Sequence, residues 1–371
     1  MKRFLTSLLT AVLFAACIGS VFGAPAGAGA LALSFIPKTQ IGSAMMAVTP
    51  EIWTEYIVEN LFKDNEFILD SIDESQYVVQ GSVVHIPQAG AASAVKRNRS
   101  TVPATITRRN DIDVTYALDE FTTDPRYIPE AEKMELSYDK VASCMTEDMS
   151  NLQQVVGDTM LYNWRPKYYI KASKTASAEY LIHGTGLRTG VSVADFSKAK
   201  TIFDKWGIPK VGRCVILNTE MYEQLCSDVR NSTNDNLSAV YDHVNGRLVK
   251  LEGFKIYERA TALLASNSTL KAVTGNKYFE FTTDLNYTPE RYEEIVAGKG
   301  EEVATTACAI GLFWHPNCVR RALGTTKMFE TAGDPTYYGD IFSFLQRGGG
   351  RIARNDGRGV LGIIQEYKAA S

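Results

Sequence analysis

The sequence predicts an α+β fold, and three observations carry that expectation. Two apolar segments of period two bracket a basic stretch with almost nothing to bury. One apolar stripe recurs at helical spacing for about seven turns. Through the middle of the chain, short apolar runs alternate with well-capped helices, as a mixed-sheet domain requires.

From the N-terminus, Met1-Lys2-Arg3 precedes an apolar run, Phe4 to Phe22, and small residues from Gly23 to Ala28. That order reads as a secretory signal over residues 1–23, with Met45-Met46 as an alternative start. Residues 24–48, rich in Ala and Gly, read as an arm. Thr49-Pro50-Glu51 opens a helix with a hydroxyl N-cap, Pro at the first helical position and an acid in the first turn. Trp53, Tyr56, Ile57 and Leu61 follow at helical spacing.

A strand at Gly81–Pro87 leads into residues 88–110, QAGAASAVKRNRSTVPATITRRN, which carry Lys96, Arg97, Arg99, Arg108 and Arg109. Ile112–Leu118 then alternates apolar with polar residues. Two strands joined this way form an extended hairpin, and a connector that cannot bury itself belongs to a partner or stays mobile. Met134, Tyr138, Val141, Met145, Met149, Leu152, Val156 and Met160 mark one long helix, with Glu130, Glu132 and Glu135 at its start and Pro166 after its end. A single narrow stripe makes it a strut.

The middle predicts a helix over Val193–Trp206, a buried strand at Gly212–Asn218 and a further helix from Asn218-Thr219-Glu220. Residues Asn231–Asn236 read as a polar loop, Leu248–Tyr257 and Ala304–Leu312 as strands, and Pro316–Ala322 as a short helix. In the run Asp334–Glu366, apolar segments Ile341–Leu345 and Val360–Ile364 flank a Gly- and Arg-rich connector. Asn355-Asp356-Gly357 signals a tight hairpin turn flanked by Arg347, Arg351, Arg354 and Arg358, which reads either as arginines placed to reach carboxylates on another molecule or as a plain basic hairpin.

Reactive constellations are not expected. Six cysteines are scattered without a CxxC pair, and His85, His183, His243 and His315 have no metal-ligand spacing. Gly184–Gly190 is neither a dinucleotide loop nor a Walker loop. Glu293/Glu294 and Glu301/Glu302 flank Gly298-Lys299-Gly300 in a polar segment, where nothing shifts a carboxyl pKa for catalysis. No catalytic, cofactor or metal site is expected. A net charge of −3 argues against tight non-specific duplex binding and leaves weak, distributed contact with nucleic acid.

The order TPEIWTEYIVENL, GSVVHIPQAG, basic loop, long helix, GRCVILNTEMYEQL, EGFKIYERATALL and YYGDIFSFLQRGGGRIARNDGRGVLGI resembles the major capsid proteins of tailed bacteriophages, with the Hong Kong 97-like fold. The resemblance runs from about Thr49 to Glu366. It implies an N-terminal arm (1–48), a helix region (49–75) and an extended loop (76–118) lying across a neighbouring subunit. It further implies a peripheral domain with a spine helix (119–180 and 331–371) and an axial domain (181–330).

The function so implied is an icosahedral shell of hexamers and pentamers around a double-stranded DNA genome, assembled in the host cytoplasm. Scaffold, portal and decoration proteins would be further partners, and no membrane is expected for the main body. The alternatives are an encapsulin-like cellular compartment or, from residues 1–23, a secreted or cell-surface assembly or binding protein. Some capsid proteins of this kind join subunits through a Lys–Asn isopeptide bond. Lys96 lies in the corresponding loop, but no motif fixes a partner for it, so cross-linking has no support in the sequence.

Overall fold

The computed structural model describes residues 65–78, 83–100, 102–104, 106–130, 140–174, 187–232, 241–242, 245–260, 262–266, 270–275, 277–281, 288 and 307–368. All lie in one compact unit, Ile57–Ser371. The expected arm, the helix from Thr49, the start of the strut helix and the paired glutamates fall outside the described residues.

In chain order the strands are β1 (Ile72–Asp73), β2 (Val83–Gln88), β3 (Ile112–Ala117), β4 (Asp119–Thr122), β5 (Arg126–Pro129) and β6 (Tyr168–Lys171). Next come β7 (Leu187–Arg188), β8 (Arg213–Asn218), β9 (Lys250–Leu251), β10 (Phe254–Arg259), β11 (Leu263–Ser266), β12 (Leu270–Ala272) and β13 (Phe279–Phe281). The last are β14 (Ala307–Trp314), β15 (Val319–Leu323), β16 (Lys327–Asp334), β17 (Gly339–Ile352), β18 (Val360–Ile364) and β19 (Tyr367–Lys368). The helices are α1 (Lys140–Asn163), α2 (Val193–Lys205) and α3 (Thr219–Arg230).

A nine-stranded sheet runs β12-β13-β6-β18-β14-β8-β10-β9, with β11 added to β14. Its central strands are covered on both faces, which is why β8 and β18 are buried at every residue. Val215, Leu217, Phe313, Leu361 and Ile363 point to the side of α2 and α3. Their neighbours Cys214, Ile216, Leu312, Trp314 and Ile364 pack with Phe67, Met160 and Trp164 on the other side. β8 and β10 run parallel, and the crossover between them contains α3.

Local chemistry explains both helix starts. Ser192 donates from N and Oγ to Asp195 Oδ2 at 3.1 and 3.0 Å, and Asn218 Oδ1 accepts from Met221 N at 3.0 Å.

The second sheet is built around β17. Its first half pairs with β16 on one edge and with β5 and β4 on the other, and its second half pairs with β15. Helix α1 bridges the two sheets. Leu152 packs with Ile128, Phe342 and Phe344 of the six-stranded sheet, while Met160, Leu161 and Trp164 join the core of the nine-stranded one. Trp164 Nε1 donates to the Arg320 carbonyl at 3.0 Å, and Trp314 Nε1 to the Asp70 carbonyl at 2.8 Å, so both buried indoles are satisfied.

Four sequence expectations change. Pro316–Ala322 is not a helix: only Pro316–Cys318 forms a 3-10 turn, and Val319–Leu323 is strand β15, held between β1 and β17. Leu248–Tyr257 is not one strand but the hairpin β9–β10, turned at Glu252-Gly253, both at positive φ of 51° and 87°.

The Gly- and Arg-rich connector is also strand, because Gly348-Gly349-Gly350 continue β17 where other elements approach it closely. A Cβ on Gly350 would lie 2.3 Å from Met160 Sδ and 2.6 Å from the Arg320 carbonyl oxygen. One on Gly349 would lie 2.8 Å from the Ala117 carbonyl oxygen. Finally, β17 and β18 lie in different sheets, so the Asn355-Asp356-Gly357 turn is a crossing between sheets and not a hairpin.

Sheet membership also crosses residues 180/181 and 330/331. β6 and β18 belong with β8, β10 and β14, whereas β15 belongs with β17.

Candidate assembly surface

Strands β2 and β3 form an antiparallel hairpin with Val83 opposite Ala117 and Gln88 opposite Ile112. Alternation divides it cleanly. Val84, Ile86, Val114 and Tyr116 pack with Val78, Leu118 and Ala322, and Val83, His85 and Asp113 face outward. On that outer face His85 Nδ1 lies 2.5 Å from Asp113 Oδ2.

The hairpin root is tied down by polar contacts. Tyr116 Oη donates to Glu74 Oε2 at 3.0 Å, and burial beside that carboxylate pushes the phenol far above its ordinary pKa. Glu74 also lies 3.5 Å from Arg320 Nη1. Asn355 N donates to Gln88 Oε1 at 3.0 Å, and Arg351 Nη1 donates to the Thr115 carbonyl.

Beyond the root, residues 89–111 behave differently. Asp111 closes the base of the loop, accepting from Gly90 N at 2.9 Å and holding Arg109 in a forked pair at 2.6 and 2.8 Å. That fork lowers the Asp111 carboxyl below its usual range. Every described residue between these points is exposed. Val95 and Ile106 are each 97% exposed and Val102 83%. Lys96, Arg97, Arg99 and Arg108 make no ion pair among the described residues. The loop therefore offers apolar and cationic side chains that the described residues of its own subunit do not use.

The C-terminal arginines are less uniform. Arg347 is half-buried in β17, across from Glu120 of β4, and its Nε has no hydrogen-bond partner among the described residues. Arg351 is spent on the hairpin root. Arg354 is exposed but forked onto Asp356 at 2.9 and 2.7 Å, which depresses the Asp356 carboxyl. Arg358 is exposed and only loosely held, 3.8 Å from the same carboxylate.

Sequence reasoning missed the edge strand β16. Among the described residues it pairs with β17 alone and exposes Met328 and Phe329, and beside it the Tyr337 ring lies tilted against Tyr127, 6.0 Å between ring centroids. The alternation in KMFETAGD is too weak to have marked it.

Among the described residues no group of three or more potential metal ligands converges, and no helix is long and apolar enough to cross a membrane. The cysteine thiols of Cys214 and Cys318 are buried, and desolvation raises both, opposite to the direction a nucleophile needs.

No protein-family model and no curated protein sequence matches the chain. Solved structures do. The capsid structure of the cyanophage P-SCSP1u aligns over 87% of this chain and 94% of its own, with a TM-score of 0.59 at 14% identity. The acid-stable capsid structure of Helicobacter pylori bacteriophage KHP30 aligns over 88% and 97%, with a TM-score of 0.59 at 13% identity. The capsid asymmetric unit of cyanophage Pam1 aligns over 88% and 98%, with a TM-score of 0.57 at 12% identity. The fold is the Hong Kong 97-like capsid fold. It spans nearly the whole length of these capsid chains, so the extended hairpin, α1 and both sheets belong to a single capsid-fold unit.

Proposed function

We propose that the chain is a major capsid protein of a tailed phage. In this role it self-assembles as hexamers and pentamers into an icosahedral shell around double-stranded DNA and performs no catalysis. The observation that carries this reading is the loop 89–111 on a complete capsid fold. It is anchored at its root by Tyr116, Arg351 and Asp111, and it leaves Val95, Val102 and Ile106 83–97% exposed. Apolar side chains left this exposed at the end of a fixed hairpin favour burial against a second copy.

On this reading the loop lies across a neighbouring subunit. Residues 119–180 and 331–371 contribute the peripheral region and 181–330 most of the axial one. The virion is the site of action, with assembly in the host cytoplasm. Scaffold, portal and decoration proteins would be its other partners. Arg358, Lys96, Arg97, Arg99 and Arg108 are the cations best placed for contacts between subunits, because their own subunit leaves them least engaged.

Electron microscopy of the protein expressed from Met1 and from Met46 tests the proposal. Closed shells, or rings of five and six subunits, support it. A monodisperse monomer from both starts at high concentration sinks it.

A further inference from the structure

Lys198 and Lys205 stand two turns apart on α2, about 10 Å along the helix axis. Beside them Trp206 and Tyr278 meet edge to face, 5.6 Å between ring centroids. With Lys277 and Arg358 these side chains line a cleft of 490 Å³. Four cations line it and, among the described residues, no carboxylate does. On a chain of net charge −3 this is a local reversal of sign.

The cations are also available. Lys205 and Lys277 have no ion-pair partner among the described residues. Lys198 reaches Asp195 at 2.8 Å, and Arg358 lies 3.8 Å from Asp356.

We propose that this cleft is a contact site for the phosphodiester backbone of nucleic acid, an inference that rests on the shell reading for its biological setting. The spacing of Lys198 and Lys205 covers the axial rise of about three successive phosphates of one strand. Three of the four cations are lysines, point charges that suit a run of phosphates. Arg358 is the one arginine in the cleft, and its planar fork matches a phosphate as well as it matches a carboxylate. No base edge is read, so binding is independent of sequence, weak at physiological salt and steep in its salt dependence.

Fluorescence anisotropy of a labelled DNA duplex, titrated with the full-length chain at several salt concentrations, reads the contact directly. Each phosphate contact removed lowers the slope of log K against log salt by about 0.9. Lys205→Gln/Lys277→Gln therefore lowers it by about 1.8. The same charge change at exposed positions elsewhere, Lys250→Gln/Lys327→Gln, leaves it unchanged. An unaltered slope in the cleft variant, or an equal fall in the control, overturns the proposal. So does poly-glutamate displacing the duplex at equal charge concentration, which would assign the cleft to an acidic protein partner.

Shell formation by the same preparations is scored separately in the microscope. Shells with an unchanged slope remove the cleft proposal and leave the shell reading standing. A lowered slope without shells does the reverse.

Discussion

Arg259, at the end of β10, forms an ion pair with Asp158 of α1, with side chains only 1% and 7% exposed. The guanidinium also reaches Asn65 Oδ1 at 3.1 Å and lies over the Phe67 ring at 5.8 Å. The pair joins the helix that runs along β17 to the nine-stranded sheet, so one buried contact couples both sheets of the fold.

Removing one partner strands the other charge in the core. Asp158→Leu is expected to lower stability by about 3–5 kcal/mol, read as a fall in the urea midpoint. Asp158→Leu/Arg259→Met should recover most of that loss, since a well-packed apolar pair is often neutral or better. An unchanged midpoint for the single variant would show that the pair is solvated.

Gly350 sits under Met160 and against the backbone of Arg320. The Met160 side chain can move, but the carbonyl oxygen cannot, so Gly350→Ala should cost about 1–3 kcal/mol through overpacking. Thermal denaturation of this variant beside Gly348→Ala, whose new Cβ meets nothing closer than Leu323 Cδ2 at 3.0 Å, makes the comparison. Equal melting temperatures would argue against a close approach of α1 to β17.

These two sites show what the sequence discloses and what it hides. The stripe through Leu152, Val156 and Met160 is legible because periodicity encodes which face a helix buries. The Ser192 and Asn218 caps are legible because capping is local chemistry. Gly348-Gly349-Gly350 misleads, since a glycine needed for close packing and one needed for a turn are the same letter. Likewise the pairing of β6 and β18 with the central strands depends on contacts far apart in the chain, which no local pattern records. The basic loop was visible in composition, whereas the binding of Arg109 and Arg351 within the subunit needed three-dimensional partners.

His315 gives a pH prediction. Its ring is buried, with Nδ1 accepting from Asn317 N and Nε2 facing the Val211 carbonyl at 3.1 Å, an arrangement that suits the neutral form. Desolvation, and secondarily the charge of Arg213, holds its pKa below 6.5. The unfolded chain therefore takes up this proton at higher pH than the folded one. Its contribution is fully present above about pH 6.5 and is lost as pH falls toward the depressed folded value. Between pH 7 and pH 5 the melting temperature of the protein should fall more than that of His315→Gln. Parallel curves would show that the ring titrates without cost.

Loop 89–111 separates folding from assembly. Arg97, Arg99 and Arg108 touch no carboxylate of their own subunit among the described residues, so replacing all three with Ala should leave the unfolding free energy within about 0.5 kcal/mol of the parent. Shell yield, counted by electron microscopy or sedimentation, should fall sharply. Arg109→Ala acts differently, because it opens the fork on Asp111 at the loop base and leaves the Gly90 amide more weakly held. Hydrogen exchange should quicken at Gly90 in that variant and stay unchanged in the triple one. A triple variant that unfolds instead of failing to assemble would mean that the loop packs on its own subunit, and the assignment of this surface to a neighbour would fall with it.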